Sequence, residues 1–286
     1  MNEREARAIL FANIEGGTTF WADQIFSDSA LVIYEKIVHG CYDPIKYQKT
    51  IERVRSATGA DILERMEKAN CRFITPEDDE WPMQLDDLAA PPIALTFKGD
   101  ISVLNISSLA IVGTRNPTPY GSRIAEDFAA GFVDREWAIV SGGAYGIDSF
   151  AHKGAVIAEG HTIAVVATGL DINYPAGNAR LFAQILEAGA IISEVMPGTH
   201  AIPARFLTRN RLIAALSKAT LVVEAAFRSG SLRTARDAAE LMRPVMAIPG
   251  PINSPTSEGC HRLIGERAAE IVTSVPDAME FVTNFQ

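Results

Sequence analysis

The sequence has 286 residues, of which 48% are hydrophobic and 21% charged, as in a soluble globular protein with room for two domains. Its net charge of −9 argues against a protein that coats itself in nucleic acid. No apolar run approaches the roughly 18 residues of a membrane helix, and the charged N-terminus lacks the apolar centre of a signal peptide. Three widely spaced cysteines exclude a disulfide framework and favour a reducing cytosol.

Residues 1–72 are expected to form a small, all-helical N-terminal domain. Apolar residues recur at helical spacing in two segments, 31–38 and 51–66, and no strand-like run bounded by turns occurs there. Prolines between residues 76 and 92 then break any helix. The sequence therefore predicts a connector after residue 72, and we place the domain boundary at its start.

From residue 107 onward, short apolar runs rich in β-branched residues alternate with helical stretches. Strands that are apolar on both faces and alternate with helices predict a parallel sheet covered on both sides. We therefore expect a doubly wound α/β domain over 73–286, with its ligands at the carboxyl ends of the strands. The predicted strands are 109–112, 138–140, 163–166, 191–192, 221–223, 245–248 and 270–273. The predicted helices are 120–133, 147–158, 178–188, 205–216, 231–241 and 258–267.

Three predicted strands end in turns rich in glycine, serine or threonine. These turns lie at 112–115, 141–148 and 229–235. Unpaired N–H groups at the start of a helix can hold phosphate oxygens, and glycine lets the backbone approach closely. One such turn is more often a plain βα turn without a ligand, but three at one sheet edge favour a phosphate site. The candidates in the second and third turns are Ser141, Gly142, Gly143, Ser229, Gly230 and Ser231.

A basic stretch runs through residues 200–245, with eight basic and three acidic residues, seven of the basic ones arginine. It can focus a polyanion on an otherwise acidic protein, although two helices with solvated arginine faces explain it equally well. Arg209 and Arg211 need acceptors, either phosphates or the strand-end carboxylates Glu194 and Glu224.

Two aromatic residues are candidates for stacking on nucleobases. Tyr174 and Phe206 lie near predicted strand or helix ends, where an exposed ring could stack on a base. An aromatic residue beside a sheet is more often part of the core, so both interpretations stay open.

Several catalytic and cofactor motifs are missing. The sequence has no GxxxxGK[ST] P-loop, no GxGxxG fingerprint, no HExxH pair and no GxSxG elbow. We therefore expect no catalytic residues, no cofactor and no metal site.

Taken in order, these stretches resemble the DprA/Smf (DNA-processing protein A) family. The resemblance covers about residues 80–270. It is carried by the segments 81–82, 91–92, 111–115, 141–152, 169–178, 193–194, 209–211, 229–235 and 248–250. It implies a Rossmann-like domain that follows an N-terminal SAM-like or helix-hairpin-helix module. It also implies that the C-terminal winged helix of many members is missing here.

The resemblance implies a cytoplasmic protein that is not an enzyme. Family members bind incoming single-stranded DNA, protect it and load the RecA recombinase in natural transformation and recombination; they look like homodimers and need no membrane. The DNA-contacting candidates carried over are Arg115, Gly142, Gly143, Lys153, Tyr174, Arg209, Asn210 and Arg211.

Two other functions compete with this one. The first is a nucleotide-binding or nucleotide-hydrolysing enzyme of the lysine-decarboxylase-like type. It is disfavoured because the loop 229–235 has no glutamate four residues past its last glycine. The second is a nucleotide-sensing domain that regulates a partner, which phosphate-binding turns fit equally well.

Overall fold

The computed structural model describes residues 1–285, which divide into two compact units. The first unit comprises residues 1–98, 167–172 and 192–200, and the second comprises the remaining segments from residue 99 onward. This division differs from the expected boundary at residue 72, because the connector packs with the helices that precede it. Phe73, Ile93 and Ala94 lie in the same buried cluster as Ile9 and Ile33.

The first unit is mainly helical. Helix α1 begins with a capping box, in which the Asn2 side chain accepts from the Glu5 N–H and the Glu5 carboxylate accepts from the Asn2 N–H. Strands β1 and β2 pair antiparallel, with Phe73 opposite Thr96. The helices are α1 (Glu3–Asn13), α2 (Thr19–Ser27), α3 (Ala30–Val38), α4 (Gln48–Ser56) and α5 (Gly59–Lys68), and the strands are β1 (Arg72–Ile74) and β2 (Leu95–Gly99).

Strands and helices alternate from residue 108 onward, as the sequence predicts. The strands are β3 (Ser108–Val112), β4 (Ala138–Ser141), β5 (Thr162–Val166), β6 (Ala190–Ser193), β7 (Ala219–Val222), β8 (Val245–Ala247) and β9 (Glu270–Ile271). The helices are α6 (Pro119–Val133), α7 (Ile147–Ile157), α8 (Ala179–Ala188), α9 (Pro203–Leu216), α10 (Ser231–Glu240), α11 (Glu258–Gly265) and α12 (Val275–Asn284).

Six strands of the second unit form a parallel sheet in the order β5-β4-β3-β7-β8-β9. The chain builds outward from β3 in one direction through β4 and β5, and from β7 in the other. The strand order therefore reverses between β3 and β7, and ligands of doubly wound sheets bind at such a point. The expected fold class, a Rossmann-like doubly wound sheet with a helical N-terminal region, is confirmed.

The register of the central strands positions the loops that follow them. Val112, the last residue of β3, lies opposite Val222, the last residue of β7. Both strands are buried along their whole length, which explains why all their residues except Ser108 and Thr220 are apolar. Because the two strands end at the same level, the loops after them emerge side by side.

Candidate nucleic-acid interface

A cavity of about 740 Å³ lies where the strand order reverses. Its walls come from the loop after β3, the loop after β7 and the first three turns of α9. Seven of the twelve candidate residues line it: Arg115, Tyr174, Arg209, Asn210, Ser229, Gly230 and Ser231. Within residues 1–285, no three His, Cys, Asp or Glu side chains are grouped to hold a metal ion. No helix of this range is long and apolar enough to cross a membrane.

An arginine and two aromatic rings form the rim of the cavity. The exposed Arg115 guanidinium carbon lies 5.1 Å from the centre of the Phe206 ring. The Phe206 ring in turn lies 5.6 Å from the ring of the exposed Tyr174, at 46°. Cation and ring stack where both remain accessible to a ligand, which is the usual arrangement of a single-strand binding surface.

The backbone beneath Arg115 is fixed by its neighbours. The Thr114 N–H donates to the Glu224 carbonyl at 2.7 Å, and the Thr114 carbonyl accepts from the Ile147 N–H at 3.1 Å. The Glu224 carboxylate accepts from the Thr118 N–H at 2.9 Å and from the Thr118 hydroxyl at 2.6 Å. This carboxylate, one of the two acceptors proposed for the arginines, therefore holds Thr118, the N-cap residue of α6.

Arg209 forms a buried cationic wall of the cavity. One Nη donates to the Val165 carbonyl, while the buried Nε has no hydrogen-bond partner among residues 1–285. Burial lowers the pKa of the Arg209 guanidinium to about 10, an effect that the charge of Asp148 opposes. Burial likewise raises the pKa of the Asp148 carboxyl, and the charge of Arg209 opposes this shift. Arg209 thus stays charged at neutral pH, and its Nε–H makes no hydrogen bond within the described residues.

The turn after β4 is occupied by the chain itself. The Asp148 carboxylate accepts from the N–H groups of Gly142 and Ala144, at 3.1 and 3.4 Å. The Ser141 hydroxyl donates to the Ile111 carbonyl at 2.7 Å, and the Asn178 amide donates to the Gly143 carbonyl at 3.0 Å. Ser141, Gly142 and Gly143 therefore lie behind the cavity wall, and the phosphate site expected at this turn is filled by a carboxylate.

Gly142 is required by Arg209. A Cβ atom at position 142 would lie only 1.9 Å from the nearer Nη of Arg209. Gly143 has φ +67°, a conformation that favours glycine, and its backbone rests against the Phe182 ring. The two glycines thus make room for the guanidinium and for the turn that holds it.

The turn after β7 faces the cavity and opens α10. The hydroxyl oxygens of Ser229 and Ser231 lie 2.7 Å apart, and Gly230 is exposed with open space where a Cβ would stand. The Asn210 amide donates to the Gly230 carbonyl at 3.2 Å and so ties the turn to α9. Two hydroxyls and the positive end of a ten-residue helix therefore face the same space as Arg209.

Two further candidates, besides Ser141, Gly142 and Gly143, do not line the cavity. Lys153 is exposed on α7, and its ammonium lies 5.0 Å from the centre of the Phe150 ring. Arg211 lies two residues after Arg209, and two residues of a helix differ by about 200° in direction. Its charge acts on Asp237 of α10, whose pKa is raised by burial and lowered in part by Arg233 and Arg211.

Arg228 lines the cavity but was not selected from the sequence. It was one of eight basic residues in the stretch 200–245, and composition gave no reason to prefer it. Its position directly before the Ser229–Ser231 turn is the signal that could have found it.

Comparison with known proteins identifies the family. The family described as DNA recombination-mediator protein A matches residues 72–283. A putative DNA processing protein DprA of Mycobacterium tuberculosis is 43% identical over 248 residues, 82% of this chain and 64% of that protein. The chain thus spans a little under two-thirds of that relative. The DNA processing protein DprA of Streptococcus pneumoniae is 38% identical over 242 residues, 85% of this chain and 83% of the relative.

Two solved structures agree with this assignment. DNA processing protein A from S. pneumoniae superimposes with a TM-score of 0.80 at 33% identity, covering 98% of this chain and 93% of the other. DNA processing protein A from Helicobacter pylori, whose structure concerns its single-stranded DNA binding mode, gives 0.67 at 31% identity, covering 76% and 96%. The ordered motifs, the Rossmann-like sheet and these similarities lead to one conclusion: the chain belongs to the DprA/Smf family of DNA-processing proteins.

Proposed function

We propose that this protein binds single-stranded DNA in the cavity between the ends of β3 and β7. The observation that carries the proposal is the combination of features around one 740 Å³ space. An exposed arginine–aromatic rim, a buried, charged arginine and a serine turn at a helix N-terminus all line it. The binding of single-stranded DNA by the H. pylori relative supports the same assignment.

In this proposal, Arg209 and the Ser229–Ser231 turn bind phosphates of the DNA strand. Arg209 is a charged residue that lines the cavity, and a phosphate oxygen forms a strong, charge-assisted hydrogen bond with a guanidinium. The start of α10 contributes its dipole, while the N–H groups of Ser231, Leu232 and Arg233 are bonded to Ser229 and Gly230 within the turn. Arg209 and the turn both line the cavity, and the bond from Asn210 to the Gly230 carbonyl keeps them close, so one phosphate could contact both.

In this proposal, the bases of the DNA strand stack on the rings of Tyr174 and Phe206. An aromatic ring can stack on a base only when the base face is open, and in a duplex that face is covered by the neighbouring base pair. Stacking also tolerates any base, because every base has a π-face. The proposed site therefore prefers single strands over duplex and discriminates little between sequences.

The test is a parallel titration with fluorescently labelled oligo-dT, a duplex of equal length and a panel of mononucleotides. Tight binding of oligo-dT that weakens steeply with salt, and weak binding of duplex and mononucleotides, is the expected pattern. Tight mononucleotide binding with no preference for oligo-dT would instead favour a nucleotide-sensing or nucleotide-hydrolysing protein.

We further propose that the protein acts in the cytoplasm, where it protects incoming single strands and passes them to the RecA recombinase in transformation and recombination. The family description as a recombination mediator supports this step, and the three unpaired cysteines suit a reducing compartment. Purified RecA should assemble faster on oligonucleotides bound by this protein than on those coated with a single-strand-binding protein alone.

A homodimer through the second unit is also proposed, from family resemblance. An apolar groove of about 730 Å³ beside β9, the last strand in the sheet order, supports it. The groove includes the strongly exposed side chains of Met242, Ile271 and Phe285. An exposed edge strand with apolar neighbours is a surface that a second copy can cover.

An enzymatic function has less support. Asp148 is the only acidic residue among the described residues that line the cavity. One of its carboxylate oxygens accepts from two backbone N–H groups, so the group supports the turn instead of facing a substrate. We therefore propose binding without catalysis.

A further inference from the structure

A second arginine–aromatic pair lies beside the loop after β7. The guanidinium carbon of Arg262, on α11, is 4.8 Å from the centre of the Phe227 ring. The spacing is close to the 5.1 Å between Arg115 and Phe206 at the cavity rim. Phe227 is nonetheless 50% exposed, so much of its ring remains uncovered.

The loop holds Phe227 at a fixed outward position. The Ala226 carbonyl accepts from the Ser229 N–H at 2.9 Å, which places Phe227 and Arg228 at the two central positions of a β-turn. Just before the turn, Ala225 is hydrogen-bonded through both its N–H, to Thr256 at 2.7 Å, and its carbonyl, from Gly259 at 2.8 Å. The ring therefore projects from an anchored base.

Turn geometry does not explain a phenylalanine here. Central turn positions favour Gly, Pro, Asn, Asp and Ser, because these residues suit the backbone angles or bond to the turn itself. A phenylalanine gains none of this and leaves apolar surface in water. A ligand that covers the ring would recover that loss.

The surroundings define the chemistry of the ligand. Ala226 and Arg228, on either side of Phe227 in the chain, both line the proposed DNA cavity. The Nε of Arg262 donates to the Glu266 carboxylate at 2.6 Å, so Arg262 is already paired and serves to orient the ring. A flat apolar ring next to a phosphate-binding turn suits a nucleobase.

We propose that Phe227 is a second stacking platform, which takes the nucleobase adjacent to the phosphate at the Ser229–Ser231 turn. Tyr174 follows β5 and Phe227 follows β7, three strand spacings apart in the sheet order. That span is about 14 Å at the usual strand spacing, room for about four nucleotides at stacked spacing. The single strand then crosses the sheet edge from Tyr174 and Phe206 to Phe227. This inference rests on the proposed function.

The direct test places a reporter at the platform. In the Phe227→Trp variant, oligo-dT should quench the emission of the new indole, measured as the difference from wild type. An oligonucleotide of equal length without bases should not quench it, because phosphates alone cannot stack. The matched control is Phe26→Trp, which replaces a phenylalanine that is 82% exposed on α2 and should show no quenching.

The affinity of a second variant completes the test. Phe227→Ala should bind oligo-dT roughly tenfold more weakly, as expected for one lost base stack, with the salt slope and melting temperature unchanged. Unquenched emission from Phe227→Trp on bound oligo-dT, or wild-type affinity of Phe227→Ala, would overturn the inference and leave the proposed function standing. Failure of the wild-type protein to bind oligo-dT would overturn both.

Discussion

Arg115 is the exposed cation of the cavity rim, stacked on Phe206 above a hydrogen-bonded backbone. Arg115→Ala should weaken binding of single-stranded DNA by about 1–3 kcal/mol and flatten its salt dependence, because one phosphate contact is lost. Its exposure means that the melting temperature should hardly change. Fluorescence anisotropy with oligo-dT at several salt concentrations measures both quantities.

The control for this variant is Arg53→Ala, which removes the same charge from an exposed position on α4 of the first unit. It should bind with nearly wild-type affinity and salt slope. A folded Arg115→Ala protein with wild-type affinity and slope would contradict the role given to Arg115. A large drop in melting temperature would instead indicate a structural contact.

Gly142 makes room for the buried guanidinium of Arg209. Gly142→Ala should lower the free energy of unfolding by about 1–3 kcal/mol, the usual cost of overpacking a buried site. Urea denaturation measures the loss. Gly230→Ala is the matched control, since open space surrounds that position and its φ of −63° is normal for alanine. Equal losses in the two variants would show that Arg209 is not packed against Gly142.

At the scale of single residues, the sequence identified the arginine-rich stretch but not the direction of each side chain. It grouped Arg209, Asn210 and Arg211 as one constellation. Because consecutive helical residues are rotated by about 100°, the structure assigns them separate roles: a cavity wall, a tie to the turn and a neighbour of α10. The direction of each of these side chains can be assigned only when the packing of α9 against its neighbours is known.

At the scale of elements, His152 of α7 is tied to Thr162 of β5. Its Nδ1 lies 2.7 Å from the Thr162 hydroxyl, and that hydroxyl donates to the Ile139 carbonyl, so the imidazole is the donor. Burial, together with the charge of Arg209, lowers the pKa of His152 to about 3. The folded protein therefore keeps His152 neutral at every pH between its folded-state pKa of about 3 and its ordinary pKa of 6.5.

The stabilisation due to neutral His152 should be complete above pH 6.5 and be lost as the pH falls toward about 3. In that window the unfolded chain binds a proton that the folded chain does not, at a cost of about 1.4 kcal/mol per pH unit. Urea unfolding of wild type and His152→Asn at pH 7, 6 and 5 measures the difference. The wild type should lose stability more steeply, and parallel pH profiles would contradict the assignment.

The elements that carry the site were the most predictable part of the fold. Apolar runs of β-branched residues predicted β3, β4, β5, β7 and β8 to within one or two residues, because buried parallel strands need apolar side chains on both faces. Strands β1 and β2 were missed, since the prolines between 76 and 92 mask strands that are joined by a long loop. Helix α12 was missed as well, because no expectation was drawn for residues after 273.

The sequence predicted the glycine- and serine-rich turns that precede the helices. It did not predict which of these turns is already filled by a side chain of the protein itself. The first two begin at a strand end, whereas the third comes seven residues after β7 ends and directly before α10. Only the structure shows that Asp148 fills the turn at 142–144, while the turn at 229–231 stays open to the cavity. A carboxylate four to six residues downstream can reach back to a turn or point elsewhere, and the sequence does not distinguish these cases.

At the scale of the whole molecule, the groove beside β9 gives a test of the proposed homodimer. Met242 is 88% exposed at this groove, and Met242→Asp would place a charge in the apolar contact. Light scattering should then shift from the dimer toward the monomer mass of 30.9 kDa. Ile45→Asp is the control, because Ile45 is equally exposed in the first unit. Monomeric wild type at high concentration would refute the dimer.

Single-stranded DNA is proposed to occupy the cavity at the ends of β3 and β7. The most direct measurement is photocrosslinking of oligo-dT that carries 4-thiothymidine, followed by mass spectrometry of the crosslinked peptides. We expect crosslinks in the segments 113–118, 174–178, 203–213 and 226–234, and their loss when unlabelled oligo-dT competes. Crosslinks confined to residues 1–98 would contradict the account.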